Sequence, residues 1–304
     1  MSPGVVGFLG AGRMGGPMVR RLLHAGHDVV VFDPNPAACS SVAAHGARIA
    51  SSAAEVARAT DLTISIVMDD RILRRVALAE DGVLAGASPG HLYCDLSTVS
   101  PMASAEVADR AAEAEVSYLR GKVAGSVPLA EAGTLTVFTS GERADHDRAM
   151  PVLSALGERV LYVGGGEASH FLKLAHSVLV AGYAALVGEA ITLAHRGGVD
   201  YDLAIDVLES GPLASRQLTL KAPLLHSREF AEPPSDIDTA AKDLDLVLAS
   251  SRAARVPMPL TGLVRELMAG EQAHGDGASD IWSVIRAFER LAGPASPHTS
   301  DEPR

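Results

Sequence analysis

The octapeptide HFLKLAHS, residues 170–177, sets one lysine between two histidines in an otherwise apolar stretch. His170, Lys173 and His176 recur at every third position, so a helix presents all three on one face. That stripe is a poor metal site: a protonated lysine is not a ligand, the two histidines fall on successive turns, and no third ligand stands nearby. No metal is expected. Two readings stay open on the residues alone, an ammonium working inside an apolar helix and a lysine that snorkels to solvent.

A second pattern carries chemistry of another kind. GAGRMG (Gly10, Ala11, Gly12, Arg13, Met14, Gly15) follows the apolar run VVGFLG and precedes MGGPMVRRLLHAG, the strand–turn–helix setting in which G-x-G-x-x-G binds a dinucleotide. The first glycine permits the tight turn, the second lets the backbone approach a pyrophosphate, and the third lets the helix pack closely, with free N–H groups at its start for the anion. Asp33 ends the next apolar run, DVVVFD. A carboxylate there accepts hydrogen bonds from both ribose hydroxyls and repels a 2′-phosphate. Pro34 and Asn35 follow, with no arginine to neutralise such a phosphate, so NAD is the expected cofactor and NADP the less favoured one.

The elements that must position these groups follow a strand–helix rhythm. Strands are expected at 5–10, 28–33, 62–67 and 91–97, with helices at 14–26, 36–45, 70–78 and 101–114. VSYLRGKVAGS, LTVFTSG and RVLYVGG read as further strands, with a helix over 143–156. The fold class is α/β: an N-terminal Rossmann-type doubly wound parallel sheet, followed by an all-α C-terminal domain that opens on a long interdomain helix over 167–195. The boundary is expected at the glycines 164–166. That gives a dinucleotide-binding domain over 1–164, a helical substrate and dimerisation domain over 165–292, and a disordered, Pro-rich polar tail over 293–304.

Composition limits the function. At 304 residues the chain is long enough for two domains, and its net charge of −11 argues against a nucleic-acid or anionic-membrane surface. No uninterrupted run of eighteen apolar residues exists, and the first residues lack the basic segment of a signal peptide. Cys39 and Cys94 are the only cysteines, so no disulfide framework is expected. The expectation is a cytoplasmic protein with a small-molecule substrate and no membrane or nucleic-acid partner. The length of apolar helix over 167–195 exceeds what one domain face needs to bury, which points to a homodimer or homotetramer.

Five segments in order resemble the β-hydroxyacid dehydrogenase superfamily, which includes 3-hydroxyisobutyrate dehydrogenase. They are the opening GFLGAGRMGGPMVRRLLHAGHDVVVFD, DLSTVSP (95–101), GKVAGSVPLAEAGTLTVFTSG (121–141), GGGEASHFLKLAHS (164–177) and KDLDLVLASSRAARVPMPL (242–260). The resemblance implies that Lys173 is the general acid or base acting on the substrate oxygen. A free lysine titrates at about 10.4; burial and a neighbouring positive charge would bring it toward roughly 7–8. It also implies that Ser97 and Thr98, at the carboxyl end of a strand, contact the nicotinamide ribose or carboxamide, although Ser-Thr ahead of a proline is equally a helix N-cap arrangement. Lys242, with Asp243, resembles the C-terminal pair whose lysine closes over cofactor and substrate; a solvated helix pair is the plainer reading.

The sequence departs from the family in two places. The substrate segment of the family reads D-A-P-V-S-G-G, where this chain has Arg120-Gly121-Lys122-Val123-Ala124-Gly125-Ser126. The family serine is Ala124 here, and Ser126 offers a hydroxyl on the same face of an extended strand, about 7 Å further on. Arg120 and Lys122 add two cations, read either as solvent-facing charges on an edge strand or as partners of an anionic substrate. The second departure is His176 and Ser177, where relatives carry asparagine. The expected substrate contacts are therefore Ala124, Gly125, Ser126, His176 and Ser177, in an atypical pocket. The function implied is an NAD-dependent oxidoreductase that moves hydride between nicotinamide and a small carbonyl or hydroxy compound. The alternatives are an imine reductase or specialised biosynthetic reductase of the same fold, and a non-catalytic NAD-binding interaction protein.

Overall fold

The computed structural model describes residues 4–293 apart from positions 232 and 234. The tail expected from Gly293 onward lies, beyond that glycine, outside the described residues. The chain divides into two compact units, one ending at Leu174 and one beginning at Ala175.

In the first unit eight strands form one sheet: β1 (Val5–Leu9), β2 (Asp28–Phe32), β3 (Arg48–Ile49), β4 (Leu62–Ser65), β5 (Leu92–Asp95), β6 (Ser117–Ala124), β7 (Leu135–Ser140) and β8 (Gly157–Tyr162), in the spatial order β3-β2-β1-β4-β5-β6-β7-β8. Strand order reverses direction beside β1, between β2 and β4, which is the switch point where such sheets take ligands at their carboxyl ends. The helices are α1 (Gly15–His24), α2 (Pro36–Ala43), α3 (Ala53–Arg58), α4 (Asp70–Leu78), α5 (Val83–Gly86), α6 (Pro101–Glu113), α7 (Val127–Ala132) and α8 (Arg143–Leu156). Several start at side-chain caps: Asn35, Ser52, Asp69 and Ser100 each accept a backbone N–H from the first turn, satisfying donors that would otherwise be orphaned.

Consecutive strand residues serve opposite faces. Val29 and Val31 of β2 join one buried cluster with Leu92 and Cys94 of β5, while Val30 and Tyr93 join the other. Both faces are thus covered, which is why these strands read as unbroken apolar runs rather than alternating ones.

Two expectations need correction. The sheet is not wholly parallel: β6 and β7 pair antiparallel, Val123 opposite Val137. Only α7 and short turns separate them, too little chain for the crossover that parallel neighbours require. Arg120 and Lys122 are not on an edge strand either, since β6 lies between β5 and β7.

The helix α9 (Ala168–Arg196) runs from the first unit into the second, and the division after Leu174 falls within it; the glycines at 164–166 precede it. The second unit continues with α10 (Tyr201–Ser210), α11 (Arg216–Ser227), α12 (Ile237–Ala254), α13 (Pro259–Ala273), a short 3₁₀ turn (Ile281–Val284) and α14 (Ile285–Ala292). Gly188 of α9 allows close packing there, because a Cβ would stand 3.0 Å from Ile285 Cα. Among the described residues α9 alone is long and apolar enough, by length and composition, to cross a membrane. Polar side chains are nonetheless buried along it, Ser169, His170, Ser177 and Thr192.

Candidate active site

The nucleotide turn is built from constraints that only glycine meets. Gly10 adopts φ +92°, and a Cβ there would collide with the carbonyl oxygen of Ile66. A Cβ on Gly15 would collide with the Gly10 carbonyl, so that glycine seats α1 against the turn. At Gly12 a Cβ would meet nothing within 4 Å: its openness is room for a ligand, not a packing need. Arg13 beside it is exposed, and Met14 is half-buried at the N-cap of α1, where no side chain caps the first turn. Asp33 locks the arrangement across the strand ends: its Oδ2 accepts the Ala11 N–H at 2.7 Å, and its Oδ1 accepts the Asn35 N–H at 2.8 Å. A dinucleotide fits these residues, with pyrophosphate toward the uncapped helix start and a ribose toward the anchored carboxylate.

A buried polar cluster stands at the carboxyl ends of β4 and β5. Asp95 is fully buried, and its Oδ1 accepts from Ser65 Oγ at 2.7 Å, from Ser97 Oγ at 2.6 Å and from the Ser97 N–H at 3.3 Å. Ser97 Oγ in turn accepts the Val67 N–H at 2.8 Å. Its hydroxyl is occupied inside the protein, holding two strand-end turns together. Thr98, by contrast, is half-buried, and the cap of α6 is supplied by Ser100, which accepts the Ala103 N–H at 3.1 Å. Neither member of the pair caps α6, and Ser97 is the one whose hydroxyl is engaged with Asp95 and Val67.

The neighbouring strand brings two cations inward. Lys122, 1% exposed, reaches Asp95 Oδ2 at 3.5 Å. Burial pushes its ammonium below the ordinary lysine value, and Asp95 opposes that shift. Arg120 donates from Nε to Glu167 Oε1 at 2.7 Å and lies over the Tyr118 ring. Both cations are matched by carboxylates of the chain itself, which removes them as plain surface charges and as unpaired partners for a substrate anion. His170 Nδ1 is 2.9 Å from Glu167 Oε2, close but poorly aligned, and its Nε2 has no hydrogen-bond partner among the described residues. Burial, then the Lys122 charge, holds this imidazole down to about 4, so it is neutral at physiological pH.

Lys173 stands one turn further along α9, half-buried, donating from Nζ to the Val123 carbonyl at 3.0 Å. The acceptor is a product of strand lengths. The last pairing of β5 with β6 is Asp95 with Arg120, so β6 overruns its neighbour and the Val123 carbonyl lies in the overhang. The expected substrate segment continues from there: Ala124 is half-buried, Gly125 takes φ +145°, and Ser126 occupies the N-cap position of α7 without using its hydroxyl as a cap. The sequence alone missed the Val123 carbonyl and the Asp95–Lys122 pairing. An aspartate inside the apolar run HLYCDLS was the available signal for the latter.

In the second unit, Ser177 is buried and donates from Oγ to Asp243 Oδ2 at 3.4 Å, while Lys242 Nζ lies 3.1 Å from Asp243 Oδ1. Asp243 thus gathers two of the expected site residues. His176 is exposed.

Proteins already known match this arrangement. A family model described as the NAD binding domain of 6-phosphogluconate dehydrogenase matches residues 5–164. One described as NAD-binding of NADP-dependent 3-hydroxyisobutyrate dehydrogenase matches residues 166–288. The 2-(hydroxymethyl)glutarate dehydrogenase of Eubacterium barkeri is 31% identical over 95% of this chain and 96% of its own. The solved structure of Mycobacterium tuberculosis 3-hydroxyisobutyrate dehydrogenase with L-serine superposes with a TM-score of 0.86 at 28% identity, over 94% of this chain and 99% of that one. An imine reductase from Pseudomonas sp. shares the fold alone, at 22% identity, over 94% of this chain and 99% of that one, and a TM-score of 0.61. The nucleotide turn and the two matched domains define an NAD(P)-dependent oxidoreductase acting on a CH–OH group. More narrowly, the chain belongs to the β-hydroxyacid dehydrogenase superfamily.

Proposed function

We propose that this chain interconverts a small hydroxy compound and its carbonyl form with NAD in preference to NADP, using Lys173 as the proton donor and acceptor. The observation that carries the cofactor half is the Asp33 carboxylate, held by two backbone N–H groups at the end of β2. Its place is fixed before any ligand arrives, and it opposes a 2′-phosphate by charge. A bound nicotinamide supplies or takes the hydride; the residues of the chain manage the oxygen. In reduction, two electrons and a hydrogen reach the carbonyl carbon, and a proton from Lys173 Nζ closes the developing alkoxide to a hydroxyl. Solvent then reprotonates the amine. In oxidation the neutral amine takes the hydroxyl proton instead. Between turnovers the Val123 carbonyl holds the ammonium, and the substrate oxygen replaces it as partner.

Ser126, whose hydroxyl makes no cap, and Ser177 with His176 are the groups proposed to recognise the rest of the substrate. The test of the cofactor reading is direct. Dissociation constants of the wild-type protein for NADH and NADPH, measured by fluorescence titration, should favour NADH; tighter NADPH binding would contradict it.

The protein is further proposed to work as a homo-oligomer through α9. Leu172, Leu179, Leu186 and Leu193 recur at strict heptad spacing on that helix, and all four are exposed in the single chain, Leu193 by 75%. At Gly182, midway along this stripe, a Cβ would meet nothing within 4 Å, leaving space for a second helix to approach. Light scattering at micromolar concentration should give at least a dimer mass. The paired change Leu179→Glu with Leu186→Glu should shift it to the monomer. A monomeric wild-type protein would refute the packing.

A further inference from the structure

A lysine amine sits at the end of a flexible four-carbon stem, so the contact of Lys173 with the Val123 carbonyl does not by itself fix where the helix stands. Shorter side chains must set the depth and rotation of the first turn of α9. Ser169 precedes Lys173 by one helical turn and lies on the same face. It is fully buried, and so is Ser140, the last residue of β7. Alanine forms helix better than serine and has no hydroxyl to desolvate. A buried serine at this place is therefore there for its hydrogen bonds.

Those bonds form one unit. The Ser169 N–H is a first-turn donor, which has no acceptor within its own helix, and Ser140 Oγ of the sheet accepts it at 3.1 Å. The same Ser140 hydroxyl donates to the Gly166 carbonyl at 2.7 Å and stands 2.9 Å from Ser169 Oγ. Ser169 Oγ donates onward to the Arg120 carbonyl at 3.1 Å. Arg120 and Ser140 are opposite each other across β6 and β7, so a single cross-strand pair receives the start of the helix. Two further contacts close the joint: Arg120 Nε donates to Glu167 at 2.7 Å, and the Gly141 N–H donates to the Gly164 carbonyl at 3.0 Å. One face of α9 thus meets β6 twice, Ser169 on Arg120 and, a turn later, Lys173 on Val123. The first contact is short and stiff, the second long and adjustable.

We propose that Ser169 and Ser140 are positioning residues for the reaction: their joined hydroxyls seat the first turn of α9 on the Arg120–Ser140 pair and so deliver the Lys173 amine to the end of β6. This rests on the proposed role of Lys173, and one arm of its test does not. In Ser169→Ala, kcat on the best substrate should fall about tenfold while the NADH dissociation constant stays unchanged, as a misplaced reacting group requires. Without any substrate, the rate at which acetic anhydride acetylates Lys173, read by mass spectrometry of its peptide, should rise about threefold or more as the amine leaves Val123. Ser140→Ala should do the same, and the double variant should exceed neither single one, because the two hydroxyls act together. Thr192→Val is the control. It removes another buried hydroxyl of α9, one bonded to the Gly188 carbonyl of the same helix, and should leave Lys173 labelling at the wild-type rate. Unchanged kcat or wild-type labelling in the folded serine variants, effects that multiply in the double variant, or an equal rise in Thr192→Val would overturn the proposal. If Ser169→Ala does not fold, Ser140→Ala against Thr192→Val decides it. If Lys173→Ala turns over normally, the proposed function fails, and the labelling still decides the seating.

Discussion

Replacing Lys173 with alanine should lower kcat by about 10²–10⁴-fold on the best substrate, the range expected when a positioned general acid–base is lost. The size follows from the surroundings. Lys173 Nζ already donates to the Val123 carbonyl at 3.0 Å, while the neighbouring cations Arg120 and Lys122 are held by Glu167 and Asp95. With Lys173 gone, the alkoxide loses the ammonium proposed to protonate it. Binding of NADH should change by no more than about threefold, since the nucleotide turn and Asp33 are untouched. A loss in kcat with unchanged cofactor affinity would separate chemistry from binding. Near-normal turnover would refute the assignment.

The second large effect concerns cofactor choice. Asp33→Ala should weaken NADH and strengthen NADPH, shifting their affinity ratio by a factor on the order of 10²–10³. Hydrogen bonds from ribose hydroxyls to a charged acceptor contribute about 1.5–3 kcal/mol each, and removing the carboxylate also removes its repulsion of a 2′-phosphate. Because Asp33 also holds the Ala11 and Asn35 N–H groups, alanine loosens the turn as well. Asp33→Asn removes the charge and keeps an acceptor oxygen for one of the two N–H contacts, and it should move the ratio in the same direction by a smaller factor. An unchanged ratio in both variants, measured by titration with each cofactor, would place the discrimination elsewhere.

The two halves of the site differed in how far their residues revealed them. The nucleotide turn was legible because its demands fall on backbone: the positive φ at Gly10 and the contact of Gly15 with the Gly10 carbonyl admit no side chain, so the constraint is written as glycine. Asp33 was legible because its distance along the chain from that turn is set by one strand–helix–strand unit. The two-residue strand β3 and the short helices α5 and α7 escaped notice, being too brief to develop a period. The antiparallel β7 was hidden because a strand's own composition does not carry its direction; only the shortness of the β6–β7 link does.

Around the proton donor the legible part was smaller. A lysine and an arginine in VSYLRGKVAGS suggest solvent, and nothing local says that Asp95 and Glu167, distant along the chain, are waiting for them. Burial of charge is a pairing across the fold, so a pattern read residue by residue does not register it. Ser97 shows the converse. Its type and position suit a ligand contact, yet Asp95 and Val67 already use its hydroxyl, while Thr98 beside it is half-buried.

The central claim is hydride transfer from nicotinamide to a carbonyl carbon with the proton supplied by Lys173. It is tested most directly by giving the protein NADH deuterated at C4 on the transferred face, with a panel of small carbonyl acids, and analysing the products by mass spectrometry. The account predicts an alcohol carrying one deuterium on the carbinol carbon, formed by the wild-type protein and lost to background with Lys173→Ala. An alcohol without deuterium, or a deuterated product formed equally well without Lys173, would contradict it.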